Sequence, residues 1–148
     1  MIRFEVVVDE HRKHSVDIKK PERSTEHAAG YDFYSPETVS IQPGEILTVW
    51  TDVKARMDEN IVLLLYPRSS MGKKRVVLAN GTGVIDGDYC DNPGNDGNIG
   101  FMLYNYGDTP YVINAGDKIG QGVFVPFYTT ADDVAGDKRT GGFGSTGV

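Results

Sequence analysis

Short apolar runs recur at residues 2–8, 46–53, 61–66, 76–79, 99–104, 111–113 and 123–128, rich in β-branched or aromatic residues and bounded by Gly, Pro, Asn or Asp. This pattern predicts seven or more strands. No window carries a sustained i, i+3, i+4, i+7 apolar stripe, and only residues 69–74 suit a single helical turn. The seven prolines leave little room for anything longer. An all-β sandwich, barrel or jelly roll is expected, as one domain over residues 1–128. From residue 129 the chain turns to Asp, Gly, Lys and Thr with Phe143 as its single aromatic, so residues 129–148 are expected to form a flexible arm.

Charge narrows the chemistry. Fifteen Lys and Arg against 21 Asp and Glu give a net charge of −6 over 148 residues, the wrong sign for a surface that tracks a nucleic-acid backbone. Direct nucleic-acid binding is not expected, and any phosphate contact must come from a local basic pocket. No apolar stretch approaches a membrane span, and residues 1–9 carry no signal-like pattern, so a cytoplasmic protein is expected. Cys90 alone excludes an internal disulfide or a thiolate zinc cluster, and Asp88 and Asp91 beside it disfavour a thiolate. His11, His14 and His27 lack metal-ligand spacing and read as solvated surface groups. The 18 glycines concentrate in residues 81–100 and 136–147, where the backbone needs unusual freedom or close approach.

Three segments could carry chemistry. In residues 83–89 (GVIDGDY) Asp86 and Asp88 lie two apart on an extended, glycine-flexed chain, where one could act as general base; a solvated Asp-Gly turn is the competing reading. In residues 67–75 (PRSSMGKKR) Arg68 can fork two phosphate oxygens, with Ser69 and Ser70 beside it, against the alternative of a solvated basic turn. Residues 138–147 combine Lys138, Arg139, Phe143, Ser145 and Thr146 on a glycine-rich backbone, suited to closing over a ring and phosphates or to a plain tail. Neither a Rossmann fingerprint in its structural context nor a Walker A sequence is present.

Together these segments resemble the trimeric dUTP nucleotidohydrolases (dUTPases). Residues 29–35 (AGYDFYS), 67–74, 83–89, 116–121 (GDKIGQ) and 141–147 (GGFGSTG) are similar to that family's five motifs, in order. The resemblance implies a β jelly roll, a homotrimer, and Mg2+-dependent hydrolysis of dUTP to dUMP and pyrophosphate. It also implies an arm that closes over a neighbouring subunit's active site. By the same resemblance Asp86 is the general base, and Asn80, Gly83, Val84, Ile85, Tyr89 and Gly100 hold uracil and deoxyribose with Phe143 as lid. Arg68, Ser69, Ser70, Gln121, Lys138, Arg139, Ser145 and Thr146 match phosphate contacts, and Asp32 matches an acid that orders magnesium waters.

This chain departs from the pattern in four places. Ser70 stands where the family has Gly, residues 90–98 (CDNPGNDGN) lengthen the third motif, Gly122 replaces an apolar residue, and Lys138 holds the place of the usual arm arginine. Three rival readings remain: a dCTP deaminase of the same fold, a regulatory binding protein of that fold with a protein partner, and a structural jelly-roll subunit. The deaminase reading is weakened because residues 99–104 carry no Glu to shuttle a proton.

Overall fold

The computed structural model describes residues 1–143, and among them the chain is almost entirely β. Eleven strands form: β1 (Arg3–Val6), β2 (Tyr31–Tyr34), β3 (Val39–Ile41), β4 (Ile46–Trp50), β5 (Val53–Arg56), β6 (Ile61–Tyr66), β7 (Val76–Leu78), β8 (Gly83–Ile85), β9 (Gly100–Asn105), β10 (Tyr111–Ile113) and β11 (Lys118–Pro126). The one α-helix, α1 (Ser69–Lys73), falls where one turn was expected. All pairings are antiparallel: β2-β11-β6-β8, β4-β9-β7, β1-β5 and β10-β3. Neighbours distant in sequence wrap around one core, which is the jelly-roll arrangement. No helix among the described residues is long and apolar enough to cross a membrane.

Alternation explains the core. In β6 Leu63 and Leu65 point inward, and in β9 Phe101 and Leu103 do the same, meeting Phe33, Ile41, Met71, Ile99, Ile113 and Ile119. β11 starts earlier than its apolar run because Gly120 and Gly122 belong to it. A Cβ on Gly120 would lie 2.3 Å from Phe101 Cε1, and one on Gly122 2.8 Å from Leu63 Cδ1, so both glycines make room for core side chains. The departure at Gly122 is therefore a packing feature.

Two expectations need correction. The run 46–53 is two strands, broken at Asp52, whose φ of 58° is left-handed and whose carboxylate accepts the backbone amides of Lys13 and His14 at 2.8 Å. A buried aspartate with donors on several sides stops a strand that apolarity alone would continue. His14 is not a solvated group: its side chain is 11% exposed and Nε2 sits 2.9 Å from the Trp50 carbonyl.

Candidate active site

β8 is held close to β6 because a Cβ on Gly83 would lie 2.9 Å from Leu65 Cβ. The chain leaves β8 at Asp86, an exposed carboxylate, and enters a 3-10 turn, Gly87–Tyr89. That turn swings Tyr89 inward. The tyrosine is 5% exposed, its hydroxyl donates to the Asn98 carbonyl at 2.6 Å and accepts from Asn95 Nδ2 at 2.8 Å, and burial pushes its pKa up.

A cavity of about 270 Å³ opens beside Asp86. It gathers every residue expected around base and sugar: Asn80, Gly83, Val84, Ile85, Tyr89, Gly100 and Phe143. Its floor adds Leu65, which the apolar run hid among core leucines. A Cβ on Gly100 would lie 2.8 Å from the Trp50 ring, so glycine is required for the strand to pass that indole. Trp50 in turn meets Phe143 edge-on, ring centres 5.5 Å apart.

The arm reaches the same place. Arg139 Nη2 donates to Asp86 Oδ2 and Nε to Asp88 Oδ1, both at 2.8 Å, with the guanidinium 5.8 Å from the Tyr89 ring centre. Lys138 is exposed. Arg139 is thus the arm cation directed into the cavity, and it lies against the turn that follows β8 in its own chain. Ser145 and Thr146 lie outside the described residues.

The phosphate-type residues form a separate cleft of about 390 Å³, where Arg68, Ser69, Ser70 and Gln121 meet Asp32 and the unanticipated Lys73. Gln121 is placed by β11 and donates to the Pro67 carbonyl at 3.3 Å; its Oε1 crosses Gly30 so closely that a Cβ there would be 2.2 Å away. A wider cleft of about 850 Å³ adjoins it, bringing Lys74, Arg75 and Lys118 to the same side. Local cation density therefore coexists with an acidic chain. The Asp86 cavity and the Arg68 cleft share no lining residue and are distinct.

Among the described residues no three His, Cys, Asp or Glu side chains are placed to hold a metal. Asp32 is the one carboxylate of the Arg68 cleft, and Lys118 Nζ lies 3.1 Å from it. Such a donor set suits a cation carried by phosphate oxygens with water between it and the protein, and does not suit a resident ion. The Cys90 thiol is pushed up to about 11 by burial and by Asp91, so it is no nucleophile.

The dUTPase family model matches residues 16–147. The chain belongs to the dUTPase family. The deoxyuridine 5'-triphosphate nucleotidohydrolase of Lactococcus lactis is 47% identical over 148 residues, covering 98% of this chain and 97% of that protein. The crystal structure of the Streptococcus mutans dUTPase is 42% identical with a TM-score of 0.75, covering 86% of this chain and 97% of that one. A dUTPase from phage phi11 of S. aureus, described with a structural Mg(II) ion, is 27% identical with a TM-score of 0.70, covering 93% of this chain and 97% of that chain. Within this dUTPase fold the longer loop 90–98 is the segment that motif reading left without a task.

Proposed function

We propose that the chain hydrolyses dUTP to dUMP and pyrophosphate, with the base and sugar in the Asp86 cavity. The observation that carries this is the meeting of Asp86, Tyr89, Asn80 and Phe143 around one cavity in a member of the dUTPase family.

The mechanism follows from the donor set. Asp86 accepts a proton from a water as its oxygen bonds the α-phosphorus; the bond from that phosphorus to the bridging oxygen breaks, and the electron pair leaves with pyrophosphate. Arg68, Ser69, Ser70, Gln121 and Arg139 neutralise and orient the phosphates, with Lys73 adding charge. Mg2+ would travel with the triphosphate, ordered through water by Asp32, and would supply charge neutralisation on the phosphate oxygens. Tyr89 packs against deoxyribose, where a 2′-hydroxyl meets the buried ring, and Phe143 covers the base.

Separate half-sites on one chain support a homotrimer in which the Arg68 cleft of one copy faces the Asp86 cavity of another. The arm closes that composite site; the contacts it makes here within one chain are offered equally by a neighbouring copy. A cytoplasmic setting suits the substrate.

Pyrophosphate release measured across dUTP, dTTP, dCTP and UTP tests the activity, with dUTP expected to be strongly preferred and chelation of Mg2+ expected to abolish turnover. Ammonia release from dCTP would establish the deaminase reading instead. Mixing an Asp86→Asn chain with an Arg68→Ala chain, each inactive alone, is expected to restore part of the activity, because some mixed sites then receive both intact halves.

A further inference from the structure

Loop 90–98 is not a loose acidic insertion. Asn92 Oδ1 accepts the amides of Gly94 and Asn95 at 2.9 and 3.1 Å, and its Nδ2 donates to the Tyr89 carbonyl at 2.6 Å. Asn95 Oδ1 accepts the Gly97 amide at 3.0 Å, while Asn95 Nδ2 holds the Tyr89 hydroxyl. The loop's acids are bound from below: Lys54 Nζ reaches Asp91 at 2.6 Å and Asp96 at 2.9 Å, and Arg56 Nη1 reaches Asp91 at 2.7 Å. A segment with its charges and amides satisfied inward offers a fixed outer surface.

The arm rests on that surface. A Cβ on Gly94 would lie 3.1 Å from Gly141 Cα and 3.2 Å from the Gly142 nitrogen, and a Cβ on Gly142 would lie 2.4 Å from Asn95 Nδ2. Backbone meets loop there at a separation that only hydrogen atoms fill. One residue further, Phe143 meets Trp50, and three residues earlier Arg139 meets Asp86.

We propose that loop 90–98 is the seat on which the closing arm docks through Gly141 and Gly142, and that Asn95 is a positioning residue joining arm closure to the orientation of Tyr89. The inference rests on the dUTPase reading above. With nucleotide bound, a correctly seated arm holds Phe143 over the base and Arg139 at the phosphates, whereas an arm lifted by one methyl group misplaces both.

Closure has a built-in reporter, since Trp50 is the sole tryptophan and touches Phe143. The experiment compares wild type, Gly142→Ala, Asn95→Ala and the double variant by Trp50 fluorescence on adding a non-hydrolysable dUTP analogue, and by kcat and KM for dUTP and UTP. Gly142→Ala is expected to diminish the fluorescence change and lower kcat/KM for dUTP about tenfold or more, a loss of the size that ångström-scale misplacement causes. Its fold is safe because residue 142 belongs to no strand. In the Asn95→Ala background the added methyl has room, so the further loss from Gly142→Ala is expected to shrink to less than threefold. Asn95→Ala alone is expected to narrow the preference for dUTP over UTP, an effect that simple destabilisation of the loop does not produce. Equal losses from Gly142→Ala in both backgrounds, or an unaltered fluorescence change, would overturn the seat. Failure of the dUTPase reading is separately visible, because wild type itself would then release no pyrophosphate from dUTP.

Discussion

Arg139 Nη2 donates to Asp86 Oδ2 at 2.8 Å, so the arm's cation rests on the carboxylate proposed above to take a proton from water. Asp88 accepts the Arg139 Nε at the same distance, so the two acids of the turn after β8 clasp one guanidinium. A triphosphate offers that cation more charge than two carboxylates do. Nucleotide arrival is expected to draw Arg139 onto phosphate and free Asp86 for water. Arg139→Ala should therefore lower kcat/KM for dUTP by at least about tenfold, whereas Lys138→Ala, at an exposed side chain, should change it less than about twofold. Steady-state pyrophosphate release on the two variants decides it, and equal effects would show that the arm cations are interchangeable.

Asp86→Asn keeps the shape of the side chain and its acceptor oxygen for Arg139 but cannot take a proton. Turnover should fall by roughly 10²–10⁴, the usual worth of a general base, while dUTP binding by calorimetry survives. Near wild-type turnover would reassign the base, with Asp88 the next carboxylate in the same turn.

Tyr89 has two duties that different substitutions separate. Removing the ring at a position 5% exposed should cost about 3–5 kcal/mol of stability and also open space beside the sugar, so Tyr89→Ala should melt earlier and lose preference for dUTP over UTP. Tyr89→Phe keeps the ring but frees it from Asn95, so its preference for dUTP should narrow less than that of Tyr89→Ala and about as much as that of Asn95→Ala. It leaves the Asn98 carbonyl and Asn95 Nδ2 without their partner, so a melting-temperature loss equivalent to about 1–3 kcal/mol is expected.

Much of this architecture is legible in the chain because strands and motifs are local. β6, β9 and β10 announce themselves by apolar runs, and Asp86, Arg68 and Phe143 stand out as chemistry that a core does not need. β2 and β3 are missed since Asp32 and Ser40 interrupt short segments whose burial depends on the sheet beneath them. The break at Asp52 is set by donors from Lys13, His14 and Asn98, none adjacent in sequence. For the same reason Trp50 and Asn95 carry no local sign of the contacts that they make with Phe143 and Gly142, far along the chain. Even the choice between Lys138 and Arg139 turns on which one faces Asp86, a question of arm direction that spacing leaves open.

Lys54 and Asp91 are the pair through which pH should act on loop 90–98. The Lys54 side chain is 6% exposed; burial opposes the ammonium charge, yet hydrogen bonds to Asp91 and Asp96 outweigh it and hold the pKa above the ordinary value. Asp91 is held well below the carboxylate range, first by Arg56 and then by Lys54. For Asp91, lowered in the folded state from 3.8, the stabilisation is full above about pH 4 and is lost as pH falls through the folded value. For Lys54, raised from 10.5, it is full below that pH and lost only as pH rises through the folded value. From these two groups the loop's stability should be level between about pH 5 and 9 and fall in acid. Lys54→Met leaves Asp96, with a side chain 11% exposed, without its cation, and breaking such a buried pair typically costs about 3–5 kcal/mol. Asp91 loses the same cation, so the wild-type advantage in denaturant melts should narrow as pH drops from 7 to 3, where Asp91 of the unfolded chain takes up a proton. A gap that stays constant over this range would mean that Lys54 contributes packing and not charge.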